Sequence, residues 1–249
     1  MNLSEQISKC SNLSLYWDKY TFIQFKSDFL GEKKQEIPFK ILEKVEKTDI
    51  NIAINHLKER RDNLKEKFKD KVILDLELEL NGRLLVGSGS PSMLEVGMTF
   101  SRNYGVPIIP SSALKGCFSH YCFKEGIFSD EDFKVIFGED LSSESENNRG
   151  NVIFLDAFPT SKVEFGLDVV NNHFQRYYIN GEIPNDWYNP VPVTYLTITN
   201  GVFRFTAISI DKISSELSSK IKAAFKEMLS NYGIGSKTNY GYGRFGIDV

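Results

Sequence analysis

Residues 72–80 read Val-Ile-Leu-Asp-Leu-Glu-Leu-Glu-Leu. Val72, Leu74, Leu76, Leu78 and Leu80 fall on one side of an extended chain, and Asp75, Glu77 and Glu79 on the other. Successive strand side chains point to opposite faces, so this stretch reads as a half-buried strand. Such a strand belongs in a sheet packed on one face, which is the habit of antiparallel sheets. The rest of the chain must supply partner strands and a cover for the leucines.

Both are legible downstream. Pro110 holds Ile109 out of the helical region. Ser111 or Ser112 then caps a helix whose buried face is Ala113, Leu114, Cys117, Phe118, Tyr121 and Cys122. Ser129 and Asp132 have capping-box spacing for a second helix, which Gly138 ends. Residues 139–150 are polar and acidic and read as a loop. Val152–Phe158 reads as a buried strand ending at Pro159, and Val202–Ile210 as another. Ser214 or Ser215 caps a helix with Leu217, Ile221, Ala224, Phe225, Met228 and Leu229 inward, and a last strand runs from Arg244 to Val249. The order is strand, helix, strand, insertion, strand, helix, strand. That is the β-α-β-β-α-β order of a ferredoxin-like (RRM-like) α+β domain.

The expected organisation is a helical N-terminal extension over 1–70, then this domain over 71–249, with an insertion at about 160–200. In the extension Pro38 should interrupt helix. Asp49 caps an amphipathic helix to Phe68, with Ile50, Ile54, Leu57, Leu64 and Phe68 inward. Lys58, Arg60, Lys65 and Lys67 lie off that face, where they either touch phosphate or, more simply, are solvated. The insertion is rich in aromatics, with Arg176 between Phe174 and Tyr177. Those rings either stack bases or form a small core of their own.

Composition removes several classes. The 249 residues are 41% hydrophobic and 25% charged, an ordinary globular balance. There is no run of about 18 apolar residues for a membrane helix. The start, MNLSEQISKC, lacks an apolar h-region, and the three cysteines form no C-x-x-C pair, so a cytoplasmic protein is expected. A net charge of −3 argues against indiscriminate nucleic-acid binding but leaves room for a narrow basic groove. No His, Cys and Asp cluster has zinc-ligand spacing, and no metal or cofactor is expected.

Two stretches suit an anion. The first is 233–244, GIGSKTNYGYGR, where Gly233, Gly235, Gly241 and Gly243 flank a polar bend holding Lys237. Glycines tolerate positive φ and close backbone approach, and successive N–H groups in such a loop form an anion-binding concavity. It is not a dinucleotide fingerprint, because Thr238 stands where a third glycine is needed. It is not a Walker A loop, because its Lys-Thr pair is one residue out of register. The second is the helix start at Ser111 and Ser112, with unpaired N–H donors and a partial positive charge. Lys115 in its first turn opposes the macrodipole and makes more sense if an anion sits there.

Ile109-Pro-Ser-Ser-Ala-Leu-Lys-Gly116 resembles the I-P-G-S-S-L-K-G signature of RAMP proteins, the repeat-associated RNA-binding proteins of CRISPR systems. Residues 233–244 resemble their carboxy-terminal glycine-rich loop. Gly150–Pro159 and Tyr104–Pro107 are similar to stretches in a member belonging to the type III-B (Cmr) antiviral effector. The resemblance covers roughly 80–249 and departs at Ser111, where the family has glycine. It implies a ferredoxin-like fold with a projecting thumb, and a non-catalytic ribonucleoprotein subunit near the 3′ end of the CRISPR RNA. The implied partners are that RNA, the repeated backbone RAMP subunit, the second end-capping RAMP subunit and the small helical subunit, with no membrane. The RNP1 motif is missing, so recognition is expected through phosphate and backbone shape. The expected RNA-binding residues are Ser111, Ser112, Lys115, Arg176, Gly233, Gly235, Lys237, Gly241, Gly243 and Arg244.

Other readings stand beside this one. A metal-independent endoribonuclease that processes CRISPR RNA needs a general base, for which His120 is the candidate and His173 a weaker one. Metal-dependent cleavage would use Asp168 or Asp186, which read more simply as solvated turn residues. A pure protein-interaction scaffold is the fourth class.

Overall fold

The structure, a computed structural model, describes residues 2–29, 32–139 and 149–246. Five α-helices precede the first strand among the described residues: α1 (Leu3–Lys9), α2 (Leu13–Leu15), α3 (Thr21–Phe29), α4 (Ile37–Lys47) and α5 (Asn51–Lys67). Then come β1 (Val72–Asn81), α6 (Ser111–Lys124), α7 (Asp130–Phe137), β2 (Val152–Phe154) and β3 (Phe158–Pro159). A hairpin of β4 (Glu164–Asn172) and β5 (Val191–Asn200) carries α8 (Gln175–Asn180) between its strands. β6 (Val202–Ser209), α9 (Ser215–Glu227) and β7 (Arg244–Phe245) finish the described fold. The expected loop at 139–150 and last strand lie partly outside the described residues, at 140–148 and 247–249.

The main sheet runs β2-β6-β1-β7, with β3 also paired to β6, and every pairing is antiparallel. β1 and β6 lie in register from Leu74↔Ala207 to Glu79↔Val202. The leucine row of β1 is buried as its alternation dictates. On that side Phe118 of α6 packs against Phe154 and Phe225, and Phe225 against Phe205. Ser129 and Ser214 cap α7 and α9, each accepting the N–H three residues on, and Gly138 ends α7 at φ +95°.

The polar row of β1 departs from expectation. α5 lies over this face, and Lys65 is engaged there rather than solvated, while Arg60 and Lys67 remain exposed. Arg204 of β6 is 4% exposed. It donates to Asp75 at 2.8 and 2.9 Å and to Asp62 of α5 at 2.6 Å. Lys65 pairs with Asp75, and Arg60 donates to the Tyr104 hydroxyl at 3.4 Å. Asp75 gives Lys65 and Arg204 a counter-charge, while Glu77 and Glu79 of the same row stay exposed. Burial alone would raise the Asp75 carboxyl, but bonds from Arg204, Lys65 and Thr206 outweigh it and hold it at about 2.

Two further expectations change in detail. Pro38 sits in the first turn of α4 instead of breaking it, where its missing N–H costs nothing. The run 152–158 is not one strand. Leu155–Ala157 leave the ladder, and Ala157 bridges Ile109 instead. The helices before β1 bury Tyr16, Trp17, Phe25 and Ile41 in a core continuous with that of the sheet, and Trp17 meets Phe100. Among the described residues no helix is long and apolar enough to cross a membrane.

Candidate nucleic-acid interface

The bulge between β2 and β3 decides the start of α6. It delivers the Asp156 carboxylate to the Ser111 N–H at 2.7 Å. Pro110 is the N-cap residue, and no side-chain cap bond is made. The expectation that Ser111 or Ser112 caps this helix is therefore corrected: a long-range carboxylate supplies the acceptor, and the serine hydroxyls are not needed. Arg61 of α5 completes the corner, donating Nη2 to the Asp156 carbonyl at 2.9 Å over the Phe158 ring. Its Nη1 is buried without an acceptor. Burial, with Arg204 nearby, lowers the Arg61 pKa to about 10.

Lys115 is half-buried one turn further on and makes no hydrogen bond or ion pair among the described residues. Ser112 and Gly116 are exposed, and a Cβ at Gly116 would meet only open space. The first turns of α6 thus present a low, open surface with one unanswered cation.

In the 233–244 loop most glycines serve close packing. At Gly243, with φ +66°, a Cβ would lie 1.8 Å from the Ile234 carbonyl oxygen. The Ile234 and Ser236 amides bond to Gly243 and Leu85 at 2.8 Å each, and the Gly243 amide to Arg83 at 2.6 Å. The amides of Tyr240, Gly241 and Tyr242 are also taken internally, whereas those of Lys237, Thr238 and Asn239 have no acceptor among the described residues. The open part of the loop is this tip, where Lys237 is left-handed at φ +60° and the Tyr240 ring is 85% exposed.

Helix and loop meet. Cys117 Sγ donates to the Gly233 carbonyl at 3.6 Å, and Tyr121 packs edge-on to Tyr232 at 4.9 Å. The other expected residues spread out. Arg244 is paired with Asn81, one residue from the inward Leu80 and Phe245 pair, so it faces the α5 side of the sheet. Its Nε is buried without an acceptor. Arg176 is far out on the hairpin, over the Tyr188 ring and 3.9 Å from Glu182. His120 and His173 are exposed and make no hydrogen bond or ion pair among the described residues, and Asp186 is exposed.

Lys237 turns inward. Its Nζ donates to the Tyr195 hydroxyl at 2.6 Å and lies 4.3 Å from that ring's centroid. The Tyr195 and Tyr242 hydroxyls are 3.2 Å apart, and Tyr242 donates to Asp168. Burial would raise the Asp168 carboxyl, but Tyr242, the Val169 N–H, Arg83 and Lys237 together lower it below its usual range. Asp168 is therefore a bonded strand residue, not a solvated turn. The sequence reading missed Arg83, Tyr195 and Tyr242. They come from three distant stretches, and no local spacing marks them. Among the described residues no group of three His, Cys, Asp or Glu side chains converges to hold a metal.

An antiparallel sheet backed by two helices, a serine-rich helix start and a terminal glycine loop against it together define the class. Residues 77–246 match the RAMP superfamily, and the chain belongs to it. It is similar to the CRISPR system Cmr subunit Cmr6 of Pyrococcus furiosus, at 31% identity over 226 residues. That match takes in 68% of this chain and 66% of the relative, just under two thirds of its length. A chain in the cryo-EM structure of type III-B Cmr-beta bound to cognate target RNA aligns at a TM-score of 0.71 and 21% identity. It covers 98% of this chain and 92% of that one, a likeness of fold alone.

Proposed function

We propose that this protein is a non-catalytic CRISPR RNA-binding structural subunit of a type III-B (Cmr) antiviral effector. It holds the 3′ part of the guide and caps the backbone of the assembly. Its partners are the CRISPR RNA, the repeated backbone RAMP subunit, the second end-capping subunit and the small helical subunit. On this reading the β2-β6-β1-β7 order is that of a ferredoxin-like domain, the β4–β5 hairpin is its thumb, and residues 1–70 are an extension packed on it.

The observation that carries the reading is the junction of α6 with the glycine loop through Cys117 and Gly233. It puts the first half of α6, the segment that bears Ser112, Lys115 and Gly116, against the start of the loop. Ser111, Ser112 and Lys115 would follow one stretch of RNA backbone and the loop tip the next, with Arg244 and Arg176 as outlying contacts. Phosphate contact of this kind positions RNA without reading its sequence. Neither histidine is oriented by a neighbour, as a general base would be, and this supports a binding role over catalysis.

The test is a titration of single-stranded RNA at several salt concentrations with wild type and Lys115→Gln. Losing one phosphate contact flattens the slope of log K against log salt by about 0.7 and weakens binding several-fold. An unchanged slope and affinity would remove Lys115 from the interface.

A further inference from the structure

We propose that Arg83 and Lys237 form a phosphate-binding notch between the glycine loop and the β4–β5 hairpin, with Asp168 as its positioning residue. The inference rests on the RNA-binding reading and names a part of the interface which that reading lacks.

Two cations converge here on one carboxylate. Arg83 Nε lies 3.6 Å from Asp168 Oδ2. Its Nη1 donates to the Leu167 carbonyl at 3.3 Å and the Thr197 hydroxyl at 3.1 Å, which fixes the plane of the guanidinium. Nη2 has no acceptor among the described residues. Lys237 Nζ has one acceptor, the Tyr195 hydroxyl, and carries three hydrogens. The buried Tyr195–Tyr242 pair links that lysine to Asp168, and the Gly243 amide ties the loop to the Arg83 carbonyl at 2.6 Å. The cluster therefore keeps a surplus positive charge and spare donors on a framework held from β4, β5, β1's outgoing turn and the loop. It is not sealed: the side chains of Arg83 and Asp168 are 39% and 32% exposed. Preorganised donors with one charge in excess suit a phosphate oxygen. A strand of RNA leaving the loop toward the hairpin would pass this point.

Asp168 separates this proposal from simple electrostatics. As a mere negative charge near RNA it would weaken binding, and Asp168→Asn would strengthen it. If it positions Arg83 and, through the tyrosines, Lys237, the same substitution weakens binding. Tyr242→Phe alters the framework with no change of charge.

The experiment titrates fluorescent single-stranded RNA against the full chain at several salt concentrations. Wild type, Arg83→Gln, Lys237→Gln, Asp168→Asn and Tyr242→Phe are compared after thermal melts have matched their folding. Arg83→Gln and Lys237→Gln should each flatten the salt slope by about 0.7 and lower affinity several-fold for all sequences alike. Asp168→Asn and Tyr242→Phe should lower affinity two- to five-fold. Tighter binding by Asp168→Asn, or wild-type behaviour of Arg83→Gln, would overturn the notch while leaving the Lys115 surface standing. A wild type that binds no RNA would overturn both. A parallel melt in inorganic phosphate, against chloride of matched ionic strength, separates an RNA contact from a site for the free anion. A phosphate shift abolished by Arg83→Gln, with RNA binding untouched, would mark a free-anion site and overturn the RNA notch.

Discussion

Gly243 and Gly116 show how differently one residue type can be used. Gly243 sits at positive φ with a carbonyl where its Cβ would be, so Gly243→Ala should cost on the order of 3 kcal/mol from strain and overlap. Chemical denaturation measures it, and a loss under 1 kcal/mol would contradict the packing described. Gly116 lies mid-helix in open space, so Gly116→Ala should stabilise the fold by about 0.5–1 kcal/mol. If RNA crosses that surface, the more stable protein binds it more weakly. Asp75 gives the pH prediction. Its folded pKa, about 2, is depressed below the unfolded value. Its contribution is thus full above the unfolded pKa and is lost as pH falls toward 2. Asp75→Asn should remove on the order of 2 kcal/mol at neutral pH and flatten the acid limb of a stability–pH profile. An unchanged acid limb would show that Arg204 is held by other means.

At the scale of elements, the hairpin's base joins the core through Phe165, Leu196 and Ile198, whereas its tip reaches away from it. Trp187 at its tip is 90% exposed, and Tyr178, Ile179 and Ile183 are exposed beside it. Replacing 174–190 with a short turn should therefore leave the melting temperature within a few degrees, while the buried Tyr195 and Thr197 at the hairpin's base stay in place. A collapse of the melt would show that the tip is structural. Elements are also where the sequence was most readable. The alternation at 72–80, the Ser129 and Ser214 caps and the Gly138 stop are local signals, and each element formed where they put it. The cap of α6 was not readable. Its acceptor is Asp156, set in a break between β2 and β3 where Ala157 bridges Ile109, a partner distant in sequence. One charged pair was misread for a related reason. Periodicity tells which side chains share a face, and Asp75 and Lys65 were each consistent with water until the fold set them against each other.

For the whole molecule, α6 and the glycine loop touch through Cys117 and Gly233, and the cations near them divide. Lys115 stays open, Lys237 joins a polar framework at the hairpin's base, and Arg244 faces the other side of the sheet. A net charge of −3 overall fits a protein that offers RNA a narrow track and not a basic coat. The most direct test is zero-length photocrosslinking of a 4-thiouridine single-stranded RNA to the full chain, with the sites mapped by mass spectrometry. The account predicts crosslinks concentrated in Ser111–Gly116 and Thr238–Tyr240. Crosslinks confined to the helices before β1, with none in those two stretches, would contradict it.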